Sequence, residues 1–306
     1  MIPGDRSRFV LRGVISIVER LRHFWGKPMM FQGFCRRSLW LTLTVLTTLA
    51  ATGFGQQAAV TKKEDENAAP RKRMVQRHLV ERGIKDERVL DAFRTVPRHK
   101  FLPPETRRLA YDDESIPIGE GQTITPPFDV AFMTESLQPK PTDKIYEVGT
   151  GSGYQAAILS RLVKDVYSVE IHKPLSERAT KVLEELNYTN VHTRHGDGYA
   201  GWPDAAPFDA IIVTCAPQDI PPPLVAQLKE GGRMVIPLGD RFNQTVHLMI
   251  KKNGRLQDKV LRPTLFVPMT GQSQKESAEK ATAKATAKAK AKANAASKND
   301  EERKQP

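Results

Sequence analysis

The stretch KIYEVGTGSG, residues 144–153, decides the fold of this 306-residue chain. Its first half, Lys144–Val148, predicts a short buried strand, and the glycines that follow predict a sharp turn into a helix at Tyr154. Strands and helices then alternate as far as residue 267. Such alternation predicts right-handed crossovers and a mostly parallel sheet with helices on both faces. We therefore expect an α/β, doubly wound, Rossmann-like sheet in residues 141–270.

The remaining elements follow from hydrophobic runs and from Gly and Pro punctuation. Further strands are predicted at 165–170, 190–195, 208–215, 233–237, 245–251 and 261–267, and helices at 154–163, 174–187 and 221–229. Residues 74–140 predict a small helical region ahead of the sheet, with Asp86 as a helix N-cap and Pro97 as a stop. The stretch from Pro97 to Pro127 predicts a long ordered loop, and such loops are usually functional.

The net charge of +12 is confined to the two ends of the chain. Residues 1–73 have 13 basic and 5 acidic side chains and residues 271–306 have 9 and 5, whereas residues 74–270 have 25 of each. A folded domain that binds nucleic acid is expected to display a basic stripe. The neutral middle therefore predicts no specific nucleic-acid partner. The two cysteines exclude a disulfide scaffold and a four-cysteine zinc site.

Both ends are predicted to lie outside the folded domain. In the basic leader, residues 1–73, paired arginines precede an apolar run from Leu39 to Ala51, which is typical of a secretory signal peptide. An uncleaved extension is the alternative, and the sequence leaves both open. Residues 271–306 are rich in Ala and Lys and have too few large apolar residues to form a core, so we expect a disordered tail.

The glycine-rich loop predicts a nucleotide site at the carboxyl ends of the strands. Gly149, Gly151 and Gly153 allow the backbone to turn sharply and to approach a ligand closely. The dinucleotide fingerprint would need a glycine at position 154, which is Tyr154, and a phosphate loop of the nucleotide-hydrolase type is missing from the sequence. The loop therefore favours a nucleoside ligand without a pyrophosphate.

Acidic residues at three strand ends narrow the choice of ligand. Glu170 ends the second strand, where a carboxylate accepts hydrogen bonds from ribose hydroxyls. Asp197 and Gly198 follow the third strand, on the side expected for adenine. Glu147 precedes the glycine loop, where its negative charge would suit a sulfonium or ammonium group. Together these positions predict S-adenosyl-L-methionine, with NAD as the alternative cofactor.

The chain resembles the protein-L-isoaspartate O-methyltransferase family from about Met74 to Met269. The most specific part of the resemblance is the segment Gly121–Pro127, because the glycine loop is shared by many methyltransferases. The matching segments are 96–103 (VPRHKFLP), 110–113 (AYDD), 116–127 (IPIGEGQTITPP), 147–157 (EVGTGSGYQAA), 196–198 (GDG) and 207–212 (PFDAII).

This resemblance implies a repair enzyme that methylates the free α-carboxyl of L-isoaspartyl residues in damaged proteins and peptides. It implies S-adenosyl-L-methionine as methyl donor, no metal, a monomer, and a cytoplasmic location, with export or membrane anchoring through residues 39–51 as the alternative. Thr125 takes the place of the family's usual active-site serine and is expected to hold the substrate carboxylate. The next residue, Pro126, lacks a backbone N–H.

Two other functions stay open at this point. One is a related carboxyl methyltransferase whose altered Thr125-Pro126 site takes another acceptor. The other is a non-catalytic protein that binds polyanions through its basic ends.

Overall fold

The computed structural model describes residues 65–302, and a seven-stranded sheet forms their centre. Its strands are β3 (Lys144–Val148), β4 (Asp165–Glu170), β5 (Val191–His195), β6 (Phe208–Val213), β7 (Leu228–Gly239), β8 (Gln244–Lys252) and β9 (Arg255–Thr264). Their spatial order is β5-β4-β3-β6-β7-β8-β9. Strands β3 to β7 are parallel to their neighbours, and β8 and β9 are added antiparallel. The predicted mostly parallel, doubly wound sheet is confirmed.

Helices cover both faces of this sheet. The helices are α1 (Ala68–Met74), α2 (Glu87–Thr95), α3 (Pro127–Leu137), α4 (Tyr154–Ser160), α5 (Lys173–Glu185), α6 (Pro222–Gln227) and α7 (Gln272–Glu302). Successive strand residues point to opposite faces. Ile145 packs into a core with residues of α1 to α5, whereas its neighbour Tyr146 packs into a second core with Leu224 of α6.

The folded region begins earlier than the predicted boundary between residues 73 and 74. Helix α1 starts at Ala68 and continues as a wider, π-helical turn through Val80. Arg71, which belongs to the predicted basic leader, is buried. Its Nε donates to the carbonyl of Arg94 at 2.6 Å, and its Nη2 pairs with Asp65. These contacts hold the arginine in the domain, so the folded domain includes residues ahead of 74.

The helix expected between Asp86 and Pro97 is present, and a hairpin follows it. Asp86 caps α2 by accepting the N–H of Arg88 at 2.9 Å, and the helix ends before Pro97, as predicted. The expected long loop contains two short 3₁₀ turns and an antiparallel hairpin of β1 (Ile116–Gly119) and β2 (Gln122–Ile124). The hairpin leads directly into α3, which the sequence analysis missed.

Two predicted boundaries in the second half of the sheet are wrong. The helix expected at 221–229 is shorter, since α6 ends at Gln227 and β7 then runs through Gly231 and Gly232. The register between β6 and β7 shifts there, so the extra residues form a bulge. The last strand, expected at 261–267, is β9 at Arg255–Thr264, because it forms a hairpin with β8.

The C-terminal tail, expected to be disordered, forms helix α7 up to Glu302. Alanine and lysine have high helix propensity, which an argument about core burial does not take into account. The beginning of the helix is also anchored, since Ser273 in the first turn is buried and Lys280, two turns further on, pairs with Asp219 at 2.8 Å.

The signal-like run from Leu39 to Ala51 lies outside the described residues. Among the helices of residues 65–302, none combines the length and apolar character that crossing a membrane requires.

Candidate functional site

A cleft with about 810 Å³ of empty space lies at the carboxyl ends of β3, β4, β5 and β6. This is the edge at which parallel α/β sheets bind their ligands. The cleft is lined by the glycine loop, by the ends of the hairpin and of β4, by the turn after β5, and by residues 267–270. Six predicted site residues line it: Thr125, Gly149, Gly151, Glu170, Asp197 and Gly198.

Gly149 is required by the packing of the loop as well as by its backbone conformation. Its φ is +93°, a region that favours glycine, and a Cβ there would lie 2.5 Å from Oγ1 of Thr214. That hydroxyl donates to the carbonyls of Val148 and Gly149 at 2.9 and 2.8 Å. Thr214, the residue after β6, therefore holds the glycine loop in place.

Glu170 connects the glycine loop to the end of β4. Its Oε2 accepts the N–H of Gly151 at 2.8 Å, and its Oε1 accepts the N–H of His172 at 2.9 Å. The side chain is almost completely buried at the cleft wall. A carboxylate offers about four acceptor positions, so two remain for a ligand after these bonds.

Asp197 lies at the opposite wall and also accepts two backbone N–H groups. Oδ1 accepts from Tyr199 at 2.9 Å, and Oδ2 accepts from Gln272, the first residue of α7, at 2.8 Å. The adjacent Gly198 has no room for a side chain, because a Cβ would lie 2.6 Å from Cγ1 of Val148. This wall is therefore tightly packed.

Thr125 reaches the same cleft from the other side. It joins β2 to α3, whose first residues are Pro126 at the cap and Pro127. Its carbonyl accepts a hydrogen bond from Nη2 of Arg98 at 2.8 Å. The structure thus brings Thr125 from the hairpin region and a glycine loop from the sheet to one cleft, although the two are 24 positions apart in the sequence.

Two predicted site residues do not line the cleft. Glu147 is completely buried beneath the glycine loop, where its Oε2 accepts from Ser168 and its Oε1 has no hydrogen-bond partner among the described residues. Burial raises its pKa to about 8, so the group is neutral at pH 7 and does not supply the expected negative charge. Gly153 instead begins α4 and faces Ala179 and Leu183 of α5.

Several lining residues carried no sequence signal of their own. Residues 267–270 form a wall because Gln244 binds both the N–H and the carbonyl of Phe266, and because Ala216 and Met269 are joined by a backbone hydrogen bond of 2.9 Å. His172 and Gln122 face each other across the opening at 3.4 Å. His172 lies two residues beyond the end of β4, and this position is the sequence feature that could have indicated it.

A family model described as protein-L-isoaspartate(D-aspartate) O-methyltransferase matches residues 69–274. A protein-L-isoaspartate O-methyltransferase of Opitutus terrae is 48% identical over 229 residues, covering 74% of this chain and 97% of that protein. A protein-L-isoaspartate O-methyltransferase 2 of Shewanella sediminis is 51% identical over 211 residues, covering 69% of this chain and 86% of that protein.

The fold is also similar to a solved structure from Plasmodium falciparum. That protein is described as a putative protein-L-isoaspartate O-methyltransferase in complex with S-adenosyl-L-homocysteine. The TM-score is 0.58 at 25% identity, and the match covers 65% of this chain and 98% of that one. Since the family match ends at residue 274, most of α7 is an addition to the shared domain.

Proposed function

The chain belongs to the protein-L-isoaspartate(D-aspartate) O-methyltransferase family. From this premise we propose which parts of its cleft bind the substrate and which bind the methyl donor. The reaction is transfer of a methyl group from S-adenosyl-L-methionine to the free α-carboxyl of L-isoaspartyl residues in damaged proteins. Residues 74–140 supply the substrate side through Thr125, and residues 141–270 supply the donor side. The observation that carries this proposal is the shared cleft of Thr125 and the glycine loop.

The donor side has the features that a nucleoside needs. Glu170 has acceptor positions left for the ribose hydroxyls, and Gly149 and Gly151 keep side chains out of the loop that faces the cleft. Asp197 and Tyr199 form the wall next to them, on the side expected for adenine. When bound, S-adenosyl-L-methionine supplies a methyl group on a sulfonium, which is already activated for transfer.

Thr125 orients the acceptor in this proposal. A carboxyl group has an ordinary pKa near about 4, so it is ionised at neutral pH and needs no base before it accepts the methyl group. What remains is to align the carboxylate and to keep water away. In this proposal the Thr125 hydroxyl donates a hydrogen bond to one carboxylate oxygen. Pro126 offers no backbone N–H for this task.

The test is transfer of labelled methyl groups to an isoaspartyl peptide and to its aspartyl twin. We expect label on the isoaspartyl peptide alone. Label on both peptides would point to a carboxyl methyltransferase with another acceptor, and label on neither would refute the proposal.

Thr125 is tested by two substitutions of similar size. Thr125→Val removes the hydroxyl and is expected to slow turnover by roughly tenfold or more, since a hydrogen bond to a charged group contributes about 1.5–3 kcal/mol. Thr125→Ser keeps the hydroxyl and should stay close to the unchanged enzyme. Equal rates for all three proteins would show that Thr125 does not orient the substrate.

We also propose that the enzyme acts in the cytoplasm, as a monomer, and without a specific nucleic-acid partner. The donor is made in the cytosol, and the charge of residues 74–270 is balanced. Sequencing of the mature N-terminus tests the location, because cleavage after residue 51 would indicate export. Light scattering on the purified chain tests the monomer.

A further inference from the structure

Arg98 is a completely buried arginine directly behind the substrate side of the cleft. It begins the 3₁₀ turn Arg98–Phe101 after Pro97 and has no exposed surface. Burial lowers its pKa from 12.5 to about 10, so the guanidinium stays positively charged at neutral pH. The fold therefore keeps a cation in its interior.

The contacts of Arg98 leave this charge uncompensated. Nη2 donates to the carbonyl of Thr125 at 2.8 Å, and the guanidinium carbon lies 4.7 Å from the centre of the Tyr154 ring. Nε and Nη1 have no hydrogen-bond partner, and within residues 65–302 no carboxylate lies within 4.0 Å of the guanidinium. A buried charge without a partner is unfavourable, so an anion that arrives with the substrate would relieve it.

The titratable groups nearest Arg98 are two phenols, one carboxyl group and one imidazole. Tyr154 and Tyr111 face it, and burial raises the pKa of both phenols above the ordinary value of 10.0. Asp113 is the acidic group that acts on Arg98 from a distance, and it is already paired with Arg82. His99, the next residue, binds the hydroxyl of Tyr111, and burial lowers its pKa.

We propose that Arg98 is a positioning residue with two effects. It holds the backbone carbonyl of Thr125, and its unpaired charge selects the ionised form of the substrate α-carboxyl. This inference rests on the proposed function. The hydrogen bond fixes the backbone that carries the Thr125 hydroxyl. The charge favours a carboxylate in the cleft over a protonated acid or an amide, because opposite charges attract more strongly in a poorly solvated site.

The test compares Arg98→Met and Arg98→Lys with Arg194→Met as matched control. Arg194 makes the same two kinds of contact, donating to the carbonyl of Gly201 at 3.0 Å and lying 4.2 Å from the Trp202 ring. Its carbonyl partner Gly201 does not line the cleft, whereas Thr125, the partner of Arg98, does. Rates are measured with an isoaspartyl peptide between pH 4.5 and 8, together with the affinity for S-adenosyl-L-homocysteine as a check on folding.

For Arg98→Met we expect KM for the peptide to rise about tenfold and the acidic limb of the kcat profile, which reports the enzyme–substrate complex, to move up by about one pH unit. The limb moves up because loss of a nearby cation makes the bound carboxyl easier to protonate. Arg98→Lys should keep the position of the limb, since it keeps the charge, but lower kcat, since an ammonium does not reproduce the guanidinium geometry. Affinity for S-adenosyl-L-homocysteine should stay unchanged.

An Arg98→Met profile that coincides with that of Arg194→Met would overturn the proposal. If Arg98→Met does not fold, the proposal is tested on the unchanged enzyme by comparing inhibition by a peptide with an α-carboxylate and by the same peptide with an α-carboxamide. The carboxylate should bind at least about tenfold more tightly, and equal inhibition would overturn the proposal. Failure of the proposed function would look different, since the unchanged enzyme would then transfer no label to the isoaspartyl peptide.

Discussion

The carboxylate of Asp197 accepts the backbone N–H of Gln272 at 2.8 Å, which joins a wall of the cleft to the first residue of the C-terminal helix. The carboxylate meets the positive end of the helix dipole there, which strengthens the contact. Gly271, which precedes the helix, has a φ of +75°, and a Cβ there would lie 2.3 Å from Oδ2 of Asp197. Helix α7, most of which lies beyond the family match, is thus anchored at the site.

Asp197→Asn should loosen the start of α7. The asparagine oxygen can still accept from Tyr199, but its amide nitrogen cannot accept from Gln272. Loss of a charged cap costs about 1.5–3 kcal/mol, so amide exchange over residues 272–276 should accelerate about tenfold or more. Asp204→Asn, at an exposed position of the neighbouring turn, is the matched control. Unchanged exchange in Asp197→Asn would contradict the anchoring role.

Glu170→Gln should weaken binding of S-adenosyl-L-homocysteine. The glutamine nitrogen cannot accept from Gly151 or from His172, so one of these N–H groups loses its partner and the ribose side loses acceptors. We expect Kd to rise by about tenfold to a hundredfold in calorimetric titration. Glu177→Gln on α5, whose side chain is 68% exposed, is the control. A Kd equal to that of the control would remove Glu170 from the ligand site.

Glu147→Gln should change how stability depends on pH. Because burial raises the pKa of Glu147 from 4.5 to about 8, the folded protein keeps a proton that the unfolded chain loses in this window. The free energy of unfolding therefore falls as pH rises from about 4.5 through about 8, by a few kcal/mol. The variant lacks this titration, so it should exceed the unchanged protein in stability at pH 9.

Urea unfolding at pH 5 and pH 9 measures this difference. The exposed Glu177→Gln serves as control, because its stability should follow that of the unchanged protein at both pH values. If Glu147→Gln also follows the unchanged protein at both pH values, the buried carboxyl does not titrate as expected.

Gly149→Ala should destabilise the protein more than Gly254→Ala. Both glycines have positive φ, +93° and +71°, so both substitutions carry a backbone cost of about 1–2 kcal/mol. A Cβ at 254 meets no atom within 4 Å, whereas one at 149 lies 2.5 Å from Thr214 Oγ1. The two variants should therefore differ by about 1–3 kcal/mol in the free energy of unfolding in urea, and this difference reports the clash with Thr214. Equal losses would mean that the loop can move away from Thr214.

Local sequence patterns were sufficient to predict the central strands of the sheet. Lys144–Val148 and Asp165–Glu170 are strands with the predicted bounds, because short apolar runs between Gly and polar residues have few other solutions. Glu170 and Asp197 were found for the same reason, since strand ends fix where a side chain lies. The path of β7 through Gly231 was missed, because pairing with β6 overrides the local signal of glycine there.

The sequence by itself determined the parallel α/β fold, the family and the chemistry, because these depend on local periodicity and on short motifs. Tertiary structure decided which side chains share the cleft and which are charged. It buried Glu147 and raised its pKa, buried Arg98 behind Thr125 with no carboxylate paired to it among residues 65–302, and tied α7 to Asp197. Solvation and long-range contacts set these properties, and neither is visible from neighbours in the chain.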